Sequence, residues 1–233
     1  MASLPFRAVP HTAPAPTGEL AYAVRRSSRA RRVRVTVDPR GGVEVVLPGR
    51  VSERAAAEAV VELRPWIDRR LAEVAAVRER VAARAGTVPY LGETLRQAPE
   101  HGRTRVHRRG DVLHVPHGDA RPALERWYRR AARAEVAQRL DVAVAALDTA
   151  YTRLTIRDQR TRWGSCSAEG AIAINWRLLL GPPEVLDYVV WHEACHLVIH
   201  DHSPAFWALL EARAGDQRQA RRWLRMNAML LML

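Results

Sequence analysis

One apolar segment of this 233-residue chain, VVWHEACHLVIHDH at positions 189–202, carries four histidines, a glutamate and an aspartate. Buried polar side chains cost several kcal/mol unless they are hydrogen-bonded, paired or bound to a metal ion. His192, Glu193 and His196 have the spacing H-E-x-x-H. On a helix, residues four apart lie on one face, about 6 Å along the axis, so two such imidazoles can bind one Zn²⁺. The spacing therefore predicts a zinc site.

The residue types at this site also indicate what the metal does. Glu193 follows the first ligand and is positioned to hold a metal-bound water and take its proton, which is the role of a general base in hydrolysis. A catalytic zinc needs a third protein ligand and one open position. His202, six residues beyond His196, can supply that ligand if the helix ends near His200 and the chain turns back.

Other residues compete for the third position. His200 shares the helical face, but three histidines along one straight helix span about 12 Å, too far for one ion. We therefore prefer His202. Asp201 is an alternative ligand, or a carboxylate that orients a ligating histidine, and Glu211 is the choice if the third ligand is a carboxylate. In a purely structural interpretation, the motif residues are hydrogen-bonded to one another in the core. That interpretation gives no reason for burying so many polar side chains at such a cost in free energy.

The surrounding pattern predicts the elements that position these residues. Residues 181–200 form a helix with prolines in its first turn and Glu184 at the positive end of its dipole. TRLTIRDQ at 152–159 alternates like a strand, RTRWGSCSAEG at 160–170 is a loop, and AIAIN at 171–175 is a second strand. We expect AIAIN to be a half-buried edge strand that pairs with an extended substrate.

The N-terminal half has a different character. Residues 1–20 are predicted to be a disordered lead-in, and DPRGG joins two alternating segments as a hairpin. Two consecutive helices follow over 52–86, and then short strand-like segments. We assign residues 21–120 to a β-rich α+β region with a small antiparallel sheet, and 121–233, which opens with a long amphipathic helix, to a catalytic domain.

Residues 160–207 resemble the signature of the YgjP-like metal-dependent hydrolases, a zincin-type family. The family pattern is matched at Arg162–Cys166, Asn175, Arg177, Leu178, Tyr188, His192, Glu193, His196, His202, Ser203, Phe206 and Trp207. One departure is Asp201, where the family usually has asparagine.

The resemblance implies an α+β fold with a zincin-like catalytic domain, in which the active-site helix packs against a small antiparallel sheet. It also implies a zinc metallopeptidase-like activity with His192, His196 and His202 as ligands and Glu193 as general base. The partner would then be a peptide or protein substrate.

The RTRWGSC loop admits two interpretations. Trp163 and Gly164 can simply form a tight, packed turn. Alternatively, the loop lines the cleft, and Arg160 or Arg162 supplies positive charge for a developing oxyanion. On the second interpretation Arg160, Arg162, Trp163 and Asn175 are candidate substrate-binding residues.

The net charge of +12 would ordinarily indicate an anionic partner. All 37 basic residues are arginine, however, a pattern typical of codon bias, so charge alone does not favour nucleic-acid binding. The basic stretch at 25–35 is either a solvated hairpin face or a contact surface for an anionic substrate. Two alternatives to a peptidase remain open: a nucleotide phosphohydrolase, because arginine forks suit phosphates, and a nucleic-acid-binding module with a structural metal.

The sequence also bears on compartment. No apolar run approaches the roughly 20 residues that span a membrane, and the N-terminus has no signal-peptide core. Two cysteines, Cys166 and Cys195, fit a reducing compartment and are interpreted as packing residues. We therefore expect a cytoplasmic protein without a membrane partner. The sequence gives no indication of its oligomeric state.

Overall fold

The computed structural model of the protein describes residues 20–38, 41–159 and 162–233. The chain divides into two compact units, the first ending at Arg80 and the second spanning Val81–Leu233. The predicted disordered lead-in lies outside the described residues, apart from Leu20.

The first unit contains the predicted hairpin. Strands β2 (Arg34–Val37) and β3 (Val43–Pro48) pair antiparallel, and Gly42 N donates to Asp38 Oδ1 at 2.9 Å in the turn between them. Strand β1 (Ala23–Ser27) pairs parallel with the other side of β3. The sheet is therefore mixed, because the long connection after β1 lets the chain cross over before β2 begins.

Two helices cover this sheet, as the sequence predicts. They are α1 (Arg54–Glu62) and α2 (Arg64–Ala82), and the break between them lies just before Pro65. Successive side chains of a strand point to opposite faces of the sheet. The residues at alternate positions of β3 are apolar, so one face of this strand is apolar and buried. The core of this unit contains Val35, Val43, Val45, Leu47, Ala56, Val60 and Ile67.

A four-stranded sheet opens the second unit. Its strands are β4 (Thr87–Tyr90), β5 (Glu93–Glu100), β6 (His107–Arg109) and β7 (Val112–Pro116), in the order β4-β5-β7-β6. The outer pairs are antiparallel and the central pair, β5 and β7, is parallel. This sheet is thus mixed, in contrast to the antiparallel sheet expected for this half of the chain.

The long predicted helix, α3 (Arg121–Ala146), joins this sheet to the rest of the second unit. Its buried side chains recur every fourth residue, which gives one apolar stripe: Leu124, Tyr128, Ala132, Val136 and Leu140. Strand residues Leu95 and Leu113 share one core with this stripe. The four-stranded sheet buries its apolar face against α3, so it belongs to the second unit. The division between the units therefore lies at residue 80, and not at residue 120 as predicted from the sequence.

The second sheet of this unit lies beside the metal-ligand helix. Strands β8 (Arg153–Arg157), β9 (Gly164–Cys166) and β10 (Ala171–Asn175) have the order β8-β10-β9. β10 is AIAIN, as predicted, but it lies between the other two strands, so the prediction that it is an edge strand is wrong. β9 forms inside the predicted loop, because pairing with β10 supplies order that the segment Gly-Ser-Cys does not encode locally. The sheet is again mixed, since β8 and β10 run parallel.

The C-terminal helices complete the second unit. They are α4 (Pro183–Cys195), α5 (Pro204–Ala214) and α6 (Arg218–Asn227), with short 3₁₀ helices at Trp176–Leu180 and Ala228–Leu230. Helix α4 packs against α3, α5, α6 and the β8-β10-β9 sheet. Arg139 on α3 donates to Asp187 Oδ1 on α4 at 2.7 Å, which fixes the two helices at the edge of the core.

These elements confirm the α+β fold, with the predicted active-site helix packed on a small sheet. Within the described parts of the chain, every helix is too short or too polar to cross a lipid bilayer.

We predict that the α3 stripe controls the stability of the second unit. Leu140→Ala should lower the free energy of unfolding by about 2–5 kcal/mol, because Leu140 is fully buried and the substitution leaves a cavity. Val142→Ala, two residues along and 61% exposed, should change it by no more than about 0.5 kcal/mol. Denaturant unfolding measures both, and equal effects of the two substitutions would contradict the packing described here.

Candidate metal centre

Three imidazoles meet at the C-terminal end of α4. The Nε2 atom of His202 lies 3.0 Å from Nε2 of His192 and 3.2 Å from Nε2 of His196. The three nitrogens form a cluster whose atoms all lie within 4.8 Å of one another. The structure thus brings together the three histidines that the sequence predicts as ligands.

Helix α4 presents two of these rings on one face. Pro182 and Pro183 begin the helix, and Glu184 occupies its first turn, as the sequence indicates. The helix ends at Cys195 with His196 as the C-cap residue, earlier than the predicted end near His200. His196 keeps helical backbone angles, so it still lies one turn from His192.

The early end of the helix positions the third ring. His196 Nδ1 lies 2.9 Å from the carbonyl oxygen of Ile199, which can only accept, so Nδ1 carries the proton and Nε2 offers its lone pair. Ser203 N donates to Asp201 Oδ1 at 2.9 Å, and this turn directs His202 back towards the helix. Asp201 therefore acts on the backbone next to His202.

Helix α5 supplies the apolar wall behind the cluster. The ring of Phe206 is fully buried, and its centroid lies 4.5–5.0 Å from the centroids of all three imidazole rings. Trp207 lies 5.9 Å from His192 and 5.7 Å from His202. These two aromatic rings restrict the imidazoles to orientations in which the Nε2 atoms face one another.

Burial favours the neutral form of the two imidazoles on α4. It lowers the pKa of His192 to about 4, with smaller contributions from the neighbouring histidines and Arg221. Burial also lowers the pKa of His196. A neutral imidazole is the form that binds a metal, so these shifts favour ligation.

The cluster fits a metal ion. Nitrogen ligands at about 2.0–2.1 Å from a tetrahedral metal are roughly 3.3–3.4 Å apart, close to the spacing of these Nε2 atoms. Without an ion or a shared proton, their lone pairs would face and repel one another. Nδ1 of His192 is buried and has no hydrogen-bond partner among the described residues. The donor set is thus that of a metal centre.

Glu193 lies beside the cluster in contact with strand β9. A side-chain carbon added at Gly164 would lie 2.4 Å from Glu193 Oε1 and 2.6 Å from Glu193 Cγ. Only glycine therefore allows the strand to approach the carboxylate this closely. Local spacing does not reveal this role of Gly164, and the glycine in the RWGSC segment is the available signal.

The electrostatic environment of Glu193 suits proton transfer. Its side chain is 6% exposed, and burial raises its pKa to about 7, whereas the nearby charge of Arg162 acts in the opposite direction. A bound cation would also lower this pKa. Arg162 therefore lies close enough to Glu193 for its charge to act on the carboxylate.

The other predicted substrate-binding residues are placed differently. Arg160 lies outside the described residues. Trp163 is half-buried and packs on the main core. Asn175 is fully buried: its side chain donates to the carbonyl of Gln159 at 2.8 Å and accepts from Arg177 N at 3.1 Å. Because its amide is used within the protein, we propose that Asn175 positions the loop that carries Arg162.

The remaining candidates lie away from the cluster. His200 is exposed beyond the end of α4, and Glu211 is exposed on α5. Neither belongs to the group of described side chains that can hold a metal ion. Cys195 is a buried packing residue, as expected, and Cys166 is a half-buried free thiol on β9.

Comparisons with known proteins agree with this geometry. The family model described as the YgjP-like metallopeptidase domain matches residues 31–227. Among solved structures, the metallopeptidase zymogen abylysin of Pyrococcus abyssi is 24% identical, with a TM-score of 0.36 over 41% of this chain and 94% of that chain. No curated protein matches the chain at a significant level.

We predict that the three clustered histidines hold the metal. His192→Ala and His202→Ala should each weaken metal binding by more than about 100-fold. Loss of a group that only orients a ligand weakens metal affinity by roughly 10–100-fold, and loss of a ligand itself should cost more. His200→Ala should retain the metal content of the unaltered protein, because its ring lies outside the cluster. Elemental analysis after dialysis measures all three. Full occupancy in His202→Ala combined with loss in His200→Ala would identify a different third ligand.

We also predict a direct energetic coupling between β9 and Glu193. Gly164→Ala should lower the free energy of unfolding by about 1–3 kcal/mol, because the added methyl group overlaps the carboxylate. In a Glu193→Ala background the same change should cost little, so the double-mutant cycle should give a coupling of about 1–3 kcal/mol.

Gly49→Ala is the control for this cycle, because an added carbon there meets nothing within 4 Å. Denaturant unfolding of the four variants in one buffer measures the coupling. An additive cycle would show that Gly164 and Glu193 are not in contact.

Proposed function

The chain belongs to the YgjP-like metallopeptidase domain family, and we propose that it is a zinc-dependent peptidase with Glu193 as general base. The observation that carries this proposal is the convergence of three imidazole Nε2 atoms next to a buried carboxylate on the same helix. The broader assignment, a metal-dependent hydrolase, follows from the family itself.

The donor set favours zinc. Three neutral imidazoles, with no thiolate or carboxylate among the described members of the cluster, match the three-ligand sites of catalytic zinc. His192, His196 and His202 would hold the ion. When bound, it would polarise a substrate carbonyl and lower the pKa of a coordinated water. A structural zinc in a nucleic-acid-binding module would normally need a fourth protein ligand, and the described residues of the cluster supply three.

Glu193 supplies the proton transfer. Its carboxylate accepts a proton from the attacking water and then donates it to the leaving amine nitrogen. Burial against Gly164 fixes the carboxylate in one place and raises its pKa towards neutrality, which suits a group that first accepts and then releases a proton. Arg162, which lies near Glu193, is proposed to stabilise negative charge that develops on the substrate carbonyl oxygen. Arg160 is proposed for the same role.

The open edge of β9 supports a peptide substrate. Asn175 N donates to the carbonyl of Trp163, and Ser167 N donates to the carbonyl of Ala171, so these residues of the β9 segment turn their backbone groups towards β10. Backbone groups alternate in direction along a strand, so Gly164 and Cys166 direct theirs to the open side. An extended peptide can pair with that side and pass the carboxylate of Glu193. This role replaces the one expected of β10.

We further propose a cytoplasmic location, which the two free cysteines support, since thiols stay reduced in that compartment.

We predict that Glu193→Gln separates metal binding from catalysis. The variant should retain full metal content, because the three imidazoles are untouched, and should lose activity by about 100- to 10,000-fold, because the general base is absent. The measurement incubates the zinc-loaded protein with a diverse peptide library, using the variant as the blank.

A parallel incubation with nucleoside triphosphates tests the second candidate function. Peptide cleavage that depends on Glu193 supports the proposal. Phosphate or pyrophosphate release that depends on Glu193, with no peptide cleaved, would instead make the protein a nucleotide phosphohydrolase. Undiminished peptide cleavage by the zinc-loaded variant would refute the general-base role.

A further inference from the structure

A basic cleft lies in the second unit, on elements that carry none of the metal ligands. It has a volume of about 650 Å³ and is formed by the segment that leads into β6 and by one face of α3. We call it the arginine cleft and define it by its lining: Arg103, Arg105, Val106, His107, Arg126 and Arg130. Four guanidinium groups and one imidazole thus line a single cleft, and none of its lining residues among those described is acidic.

Most of this positive charge is uncompensated. Arg103 is paired with Glu100 at 2.6 Å. Arg105, Arg126 and Arg130 form no ion pair within the described part of the chain. On the same helix, by contrast, Arg129 lies 2.7 Å from Glu125 and Arg139 lies 2.5 Å from Glu135.

The positions of these charges are therefore informative even in a chain whose basic residues are all arginine. Codon bias explains why arginine replaces lysine, but it does not bring unpaired guanidinium groups together. Arg126 and Arg130 are four residues apart on one helical face, where like charges repel. Arg105 approaches from the opposite wall of the cleft. A bound anion would remove this repulsion.

We propose that the arginine cleft binds a chain of phosphate groups, such as pyrophosphate or triphosphate. Guanidinium forks bind phosphoryl oxygens in pairs, and several of them facing one cleft match a ligand with several anionic groups. The volume lies within the roughly 300–1,000 Å³ typical of small-molecule sites. Apart from the imidazole of His107, the lining offers no aromatic ring to hold a base, so recognition is directed at the phosphates.

The proposal is tested by titrating inorganic triphosphate into the full-length protein at physiological salt, with calorimetric detection. Arg126→Gln combined with Arg130→Gln should weaken binding by about tenfold or more, because two charge-assisted contacts are lost. Arg105→Gln tests the other wall independently and should also weaken binding. All three side chains are exposed, so the variants should unfold at temperatures close to that of the unaltered protein.

Arg222→Gln combined with Arg225→Gln is the matched control. These arginines are exposed on α6, and their substitution removes the same charge from outside the cleft. Binding should change by no more than about twofold in this control. Equal weakening in both double variants would show that the effect arises from general surface charge. Unchanged binding in the Arg126 and Arg130 variant would show that the triphosphate binds elsewhere, for example at the metal centre. Either result overturns the proposal.

Two further ligands define the chemical class. If the ligand of the cleft is a free phosphate chain, a nucleoside triphosphate should bind as tightly as inorganic triphosphate. Tighter binding that still requires Arg126 and Arg130 would support the same chemistry and identify a nucleotide as its source. A glutamate-rich peptide should bind more weakly than triphosphate. If the peptide binds more tightly through the same arginines, the cleft recognises acidic protein segments and the phosphate assignment is wrong.

Discussion

The mutual approach of three imidazole nitrogens is the constraint on which the second unit depends. The Nε2 atoms lie 3.0 and 3.2 Å apart, and their lone pairs repel one another unless an ion or a shared proton lies between them, so the surrounding structure must hold the rings together. Helix α4 fixes two rings one turn apart, and the turn closed by Asp201 and Ser203 brings back the third. The ring of Phe206 contacts all three imidazoles and prevents them from rotating apart. The fold itself therefore holds the three imidazoles in one cluster.

A second constraint joins the sheet to this helix. Strand β9 approaches Glu193 so closely that Gly164 has no room for a side chain. The same contact removes water from the carboxylate and raises its pKa, and it places the open edge of β9 beside the proposed general base. The Asn175 side chain donates hydrogen bonds to the backbone carbonyls of Gln159 and Arg162, which precede this strand. Glu193, the open edge of β9 and the loop before β9 are therefore mechanically coupled, so displacement of one of them displaces the others.

The distribution of charge separates structural arginines from those open to a ligand. Arg139 joins α3 to α4 through Glu135 and Asp187, and Arg177 binds Asp158 at 2.5 Å. These pairs use the fixed fork of the guanidinium group to connect elements. Arg162 lies near Glu193, and the arginines of the arginine cleft other than Arg103 form no ion pair with a described residue, so these side chains can contact an anion. Net charge alone, +12 for the chain, does not distinguish the two groups.

The sequence by itself determined the features that depend on local spacing. H-E-x-x-H on an apolar helix, with His202 six residues beyond, specified the three histidines that the fold brings together, and alternation specified AIAIN as a strand. The tertiary structure decided what depends on contacts between distant segments. Whether β10 lies at the edge or in the centre is set by which strands pair with it, and β9 exists only through that pairing. The need for glycine at 164 arises from a carboxylate 29 positions later in the sequence, at Glu193, and the four-stranded sheet joins the second unit because it packs on α3. Local periodicity records which face of an element is apolar, but the partner of that face is chosen only when the whole chain folds.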